Sequence, residues 1–412
     1  MERNDRRVKY ACYMTGATMA VTGSVSPLLF LTLRSLYGVS YSLLGLLVLV
    51  NFFTQLAIDL IFSFVSHKFN IAATVKITPL LAALGLAVYA AAPILFPDSV
   101  YVGLLVGTVI FSASSGLGEV LMSPTVAAIP SDNPDREMSK LHSIFAWGSV
   151  VMVLFSTLYL FLCGHGAWQW LVLIGMVVPI VAAALFCGAE IPPMSTPKRA
   201  SGALALLKNK GLLLSVLAIF LGGASECTMS QWASGYLEGA LGIDKVWGDV
   251  LGVAMFSVML GLGRTLYAKR GKNITRVLLL GAIGASLCYL VAAISPLPFI
   301  GLIACALTGL CTSMLWPGSL VVAAERFPKG GVFVYAMMAA GGDLGASVGS
   351  QLVGIITDAA IANPRAVALA SELGIGTEQL GMKLGMLVGA IFPILAIGAF
   401  LLLHRGRKTN ME

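Results

Sequence analysis

The chain has 412 residues, 58% of them apolar and only 11% charged, with a mean hydropathy of +0.90 and a formal net charge of +7. Soluble domains carry about 25% charged and about 45–50% apolar residues, so a soluble globular protein, a disordered chain and a disulfide scaffold are excluded. The basic residues lie in short loops between apolar stretches, a pattern that reports membrane topology rather than a nucleic-acid partner.

The N-terminus, MERNDRRVKY, is basic and runs into an apolar stretch from Ala11 to Leu33. A signal peptide has an apolar stretch of only about 7–15 residues before a small-residue cleavage site, so this segment is expected to be a retained first span. A membrane-spanning helix needs about 20 mostly apolar residues. Along the chain that criterion gives twelve spans: 8–34, 40–66, 72–95, 99–129, 136–163, 167–190, 210–241, 246–269, 274–294, 297–325, 330–360 and 380–404. The segment 191–209, rich in Pro, Ser and Lys, reads as a cytoplasmic linker between an N-terminal six-helix half (1–190) and a C-terminal six-helix half (210–412). With the N-terminus inside, 21 of the 26 Lys and Arg residues fall on the inner side, four fall outside, and Arg264 lies within a span. This asymmetry predicts an all-α integral membrane protein with twelve transmembrane helices and both termini in the cytoplasm. The short loops and the absence of a cleavable signal point to a prokaryotic cytoplasmic (inner) membrane.

Ionisable groups inside a bilayer cost about 2.5–3.5 kcal/mol each at a helix centre and usually face a bundle interior or a watery cavity. Asp59, Glu119, Glu226 and Asp343 lie well inside spans, with Arg264 as the one basic companion. Asn51, Gln55, Asp59 and Ser63 recur every fourth residue on the second span, so they share a face. Ser112, Ser115, Glu119 and Ser123 form a stripe on the fourth; Asp343, Ser347, Ser350 and Gln351 do so on the eleventh. The first span offers Thr15, Thr18, Thr22 and Ser26, the fifth His142, Trp147 and Ser149, and the tenth Thr308, Thr312, Trp316 and Ser319. The third, sixth, ninth and twelfth spans have no central ionisable group. Polar stripes on all but every third helix suit a central aqueous path. Gly341, Gly345 and Gly349 give the small-xxx-small spacing that lets helix backbones approach closely.

Several patterns lead elsewhere. Ala113–Gly118 resembles a dinucleotide-binding turn, but that turn needs a strand before it, and here it lies inside an apolar span. Asn273-Ile274-Thr275 matches a glycosylation acceptor on the side the charges place inside. The seven cysteines show neither CxxC nor Cys/His metal spacing and read as small apolar side chains. No P-loop or HExxH motif is present, so neither an enzyme nor an ATP-driven pump is expected, and no cofactor or metal.

Twelve spans in two halves with a basic central linker resemble the major facilitator superfamily, although the family's loop motif is degraded at Phe62–Asn70 and loose at Gly263–Lys272. Closer likenesses are to the fucose-permease-like sugar transporters. They are Gly223-Ala224-Ser225-Glu226 followed by Trp232 and Tyr236, Leu141-His142 with Phe145 and Gly148, Trp316-Pro317, and Gly342-Asp343-Leu344-Gly345 with Gly354 and Asp358. Glu119 matches the acidic position that the resemblance links to proton coupling, whereas the first span lacks the acid that fucose permease carries there.

The resemblance implies a monomeric secondary transporter working by alternating access, with a small-molecule substrate, a sugar, bound near the midplane and protons as coupling ion. The expected proton-coupling residues are Glu119, Glu226 and Asp343. Asn51, Gln55, His142, Gln231 and Gln351 are expected to hydrogen-bond the solute, and Trp147, Trp232 and Trp316 to supply flat apolar faces. Asp59 is expected to gate or cap, and Arg264 to pair with Glu325 in a structural role. Glu226 and Trp232 are six residues apart and do not share a helical face, so both can line one site only from a broken seventh span or from two of its faces. The rival reading is a proton-driven exporter of drugs or metabolites, for which 17 methionines are compatible.

Overall fold

The computed structural model describes residues 3–65, 68–130, 134–193, 209–270, 272–327 and 331–409; the side chains of 63–65, 127, 134–139, 142, 268, 270, 324, 331–333, 335–336 and 405–409, and most of the linker, lie outside the description. The described residues are helical, without strands. Eleven helices are long and apolar enough to cross a membrane; the bent pair Arg3–Leu28 and Phe30–Tyr37 makes a twelfth when counted as one span. Helices are the form in which a chain in lipid satisfies its own backbone, each N–H bonding to a carbonyl of the same segment. The contacts divide the chain into two compact units, Met1–Thr32 with Val50–Ala200, and Leu33–Leu49 with Ser201–Glu412.

In the first unit the first span, with Pro27 inside it, turns by 47° at Leu29. A proline near a helix end removes a ladder hydrogen bond, which accounts for the bend. The second span is Tyr41–Val65, counted with this unit from Val50 onward. The third (Ile71–Ala90) is N-capped by the Asn70 side chain, which accepts from the Ala73 amide at 3.1 Å. It packs along the fourth (Val100–Ala127). The fifth is Pro134–Cys163, and the sixth is made of Trp168–Gly175 and Val177–Phe186. The threonines of the first span turn their hydroxyls back to their own helix: Thr15 and Thr18 donate to the carbonyls of Ala11 and Met14, both at 2.9 Å.

In the second unit the seventh span, Lys210–Gly239, is one continuous helix capped by Asn209. The eighth opens with a π-helical turn, Gly248–Ala254, and continues as Met255–Arg270. The ninth, Ile274–Ile294, starts at Asn273, whose side chain accepts from the Arg276 amide and the Thr275 hydroxyl, so the apparent glycosylation triplet is a helix cap. The tenth is interrupted between Pro298–Thr312 and Leu315–Arg326. The eleventh is Gly331–Ala362, followed by a short helix, Pro364–Glu372, that hydropathy did not foresee. Thr377–Gly389 and Ile391–Thr409 form the twelfth.

The glycine stripe of the eleventh span faces the seventh. A Cβ on Gly345 would lie 2.0 Å from the Phe220 carbonyl oxygen, and one on Gly341 would lie 2.8 Å from a Val216 methyl. Gly345→Ala is therefore expected to lower stability by about 2 kcal/mol, since backbone must move to admit the methyl. Thermal unfolding in detergent checks this; a Tm equal to that of the parent protein would mean the two helices are not held at this spacing.

Candidate functional site

Polar side chains inside an apolar bundle must find partners, and the ones they find define the site. In the first unit, Ser112 of the fourth span donates to Asn51 Oδ1 of the second at 2.6 Å. Gln55 Nε2 donates to the Asn51 carbonyl at 3.4 Å, and the hydroxyls of Thr22 and Ser115 share a bond of 3.0 Å. Asn51, Gln55 and Asp59 are buried in sequence along one helical face. Asp59 lies with a carboxylate oxygen within 4.8 Å of one of Glu119, whose side chain is exposed. Two amides thus lead along the second span to a pair of carboxylates contributed by the second and fourth spans. The sequence pattern found both acids but assigned them separate roles; their proximity depends on how the two helices are rotated.

In the second unit, Arg264 does not pair with Glu325. Its Nη2 bonds to Glu226 Oε1 at 3.2 Å and its Nε donates to the Ser313 carbonyl at 3.1 Å. Ser313 sits at the interruption of the tenth span, where helix geometry leaves carbonyls free to accept. One guanidinium therefore ties together the seventh, eighth and tenth spans. The rotation of the continuous seventh helix explains the choice: Glu226 turns toward the eighth span, while Trp232 turns toward the eleventh. Trp232 is 1% exposed and its Nε1 donates to the Ser350 carbonyl at 2.8 Å, which gives this ring a packing role in place of the solute-facing one expected for it.

Asp343 is buried on the eleventh span. Trp316 is half-buried with its ring over Gly342, where a Cβ would come within 2.4 Å of it. Gln351 Nε2 donates to the Ser42 carbonyl at 3.2 Å. Gln231 is half-buried, Glu325 is exposed, and Trp147 is 66% exposed. The side chain of His142 lies outside the described residues. Sequence reasoning missed one polar constellation in this unit, formed by Arg34, Tyr41, Asp358 and Glu378. The available signal was that charges are scarce in the segments assigned to the outer side.

A multi-pass helical membrane protein with buried polar stripes and intramembrane acids has the features that a solute transporter needs. The sequence profile of the Major Facilitator Superfamily matches residues 11–350, and the chain belongs to that family. Among curated proteins none matches the sequence. Similar solved structures include the nucleoside transporter NupG, as a D323A mutant (TM-score 0.73, 12% identity, 97% of this chain and 100% of that one). A D-xylose–proton symporter matches with a TM-score of 0.69 and 14% identity over 94% of this chain and 96% of its own. The E. coli fucose:proton symporter FucP matches with a TM-score of 0.57 and 16% identity over 94% and 98%. At these identities the likeness establishes the fold.

Proposed function

We propose that this transporter imports a small hydroxylated solute, a sugar, together with protons. The observation that carries the reading is the Asp59–Glu119 pair, with carboxylate oxygens within 4.8 Å of each other, at the end of the Asn51–Gln55 face. Two carboxylates so close repel unless a proton is held between them, so the pair is suited to take up and release one. The amides of Asn51 and Gln55, with the Ser112 hydroxyl, supply the donors and acceptors that a polyhydroxylated solute needs. Because they share a helical face with Asp59, solute contact and proton occupancy can influence each other directly. The fold is one that xylose and fucose symporters share, as does the nucleoside transporter NupG, so a hydroxylated solute is compatible with it. His142, Gln231, Trp147, Trp316 and Gln351 remain proposed solute contacts, and Asp343 and Glu226 further proton carriers. The protein is proposed to work as a monomer in a prokaryotic cytoplasmic membrane, with both termini inside.

Thermal stabilisation of the purified protein across sugars, nucleosides and lipophilic cations tests the substrate class, because a ligand that binds only the folded state stabilises it by RT ln(1 + [L]/Kd). A sugar that raises Tm, and whose uptake into liposomes responds to an inward proton gradient, is the expected result. A response to lipophilic cations with none from sugars would overturn it in favour of a proton-driven exporter.

A further inference from the structure

The ninth and tenth spans meet along a face kept narrow by small residues. Gly281, Gly284 and Cys288 share one side of the ninth span, at intervals of three and four residues. A Cβ on Gly281 would lie 2.5 Å from the Cys311 carbonyl oxygen, and one on Gly284 would lie 2.7 Å from Cys311 Sγ. The tenth span therefore sits close against the ninth just before its interruption, with the Cys311 sulfur over Gly284, one turn from Cys288. The two thiols are hydrogen-bonded to each other, and Cys288 is also hydrogen-bonded with Thr308 of the tenth span. Both cysteines are free and half-buried. Cys288 also lines an apolar groove of about 210 Å³ between these spans, whose walls include Leu287, Val291, Ile300 and Leu307. Those four side chains are exposed on the outside of the helices, and Leu280, Leu287 and Ile294 extend the same apolar surface at seven-residue intervals along the ninth span. In a membrane-spanning segment such a surface meets acyl chains, so the groove opens to lipid.

We propose that Cys288 and Cys311 are a dithiol site that reduces organic hydroperoxides dissolved in the bilayer, Cys288 reacting first and Cys311 resolving. The groove supplies the route, because an apolar hydroperoxide partitions into lipid and meets Cys288 at the groove wall. The Cys288 sulfur attacks the terminal peroxide oxygen, and the O–O bond breaks. The departing alkoxide takes the Cys288 thiol proton and leaves as an alcohol, and Cys288 becomes a sulfenic acid. The Cys311 sulfur then attacks the Cys288 sulfur, the S–O bond breaks, and hydroxide leaves with the Cys311 proton as water. Two thiols lose two electrons and the peroxide gains them, so a disulfide, an alcohol and a water balance the step. A reacting thiol with no thiol neighbour stops at the sulfenic acid or goes on to irreversible sulfinic acid, so contact with Cys311 is what keeps this site reversible. Cys12 and Cys305 are fully buried and shielded from a lipid-borne oxidant. The assignment does not depend on which solute is carried.

The test treats the parent protein in liposomes with cumene hydroperoxide, then denatures it, alkylates the remaining thiols with a maleimide and maps every cysteine by mass spectrometry. Cys288 and Cys311 are expected to be lost from alkylation together and to appear in one cross-linked peptide pair, whatever happens at the exposed Cys163 and Cys187. Dithiothreitol should return both thiols. Hydrogen peroxide at the same concentration, which favours water over lipid, should bridge the pair at least about tenfold more slowly. Cys311→Ser should abolish the bridge and leave a sulfenic acid at Cys288 that dimedone traps, whereas Cys288→Ser should leave Cys311 reduced. Absence of a Cys288–Cys311 bond in the treated parent protein, a bond from Cys288 to Cys305 in its place, or equal rates with the two peroxides would each overturn the proposal. Mapping of the parent chain needs no substitution, so these outcomes decide even where a variant fails to fold.

Discussion

Glu119→Gln is expected to equilibrate its solute across the membrane without concentrating it. With one proton carried per solute, a gradient of one pH unit supports about tenfold accumulation in the parent protein, because one pH unit corresponds to 1.36 kcal/mol; the variant should reach a ratio of about 1. Glutamine keeps the shape and the hydrogen-bonding oxygen of glutamate but cannot release a proton, so exchange of labelled for unlabelled solute should persist. The sign is set by direction: with acid outside, protons moving inward draw solute inward, and parent uptake should rise as the outside is acidified while that of the variant stays flat. The measurement is uptake into liposomes with and without an imposed pH gradient, alongside counterflow. Full accumulation by the variant would remove Glu119 from the coupling mechanism and leave Asp59 alone as the proton carrier of this pair. Loss of counterflow as well would assign Glu119 to solute binding.

Arg264→Ala is expected to destabilise the fold by about 2 kcal/mol, below the range of about 3–5 kcal/mol for removing one partner of a fully buried ion pair. The smaller figure applies because the Arg264 side chain is 40% exposed, so the pair is only partly buried, whereas that of Glu226 is 13% exposed. Two losses combine: Glu226 is left without its counter-charge, and the Ser313 carbonyl loses its donor at the interruption of the tenth span. Replacing both residues, Arg264→Ala with Glu226→Gln, should recover much of the loss, since no uncompensated carboxylate remains. Thermal unfolding of the parent, both single variants and the double variant gives the coupling directly. Strict additivity would mean that the ion pair contributes nothing to stability and that Arg264 acts through Ser313 alone.

Much of this molecule is legible along the chain. The apolar runs long enough to cross a membrane, the basic loops and the stripes Asn51–Gln55–Asp59 and Ser112–Ser115–Glu119 are local patterns. That the eleventh span packs closely on some neighbour was readable from Gly341, Gly345 and Gly349, because small residues at helical spacing leave a groove on one face; that the neighbour is the seventh span was not. The caps at Asn70 and Asn273, which the structure shows, are local too, each side chain accepting from an amide three residues on.

Which groups meet across helices was not legible. Arg264 stands 38 residues from Glu226 and 61 from Glu325, and no periodicity ranks those partners; the rotation of the seventh helix about its axis does. The same rotation withdrew Trp232 into packing against the eleventh span. Asp358 caps a helix that begins 317 positions earlier in the chain. Hydropathy and spacing record how each helix meets its surroundings, because in lipid every helix satisfies its own backbone and is stable as a unit. That independence makes twelve spans readable from the sequence. It also leaves axial rotation and register to be settled by side-chain packing and by the pairing of the few polar groups, and these only the assembled tertiary structure decides.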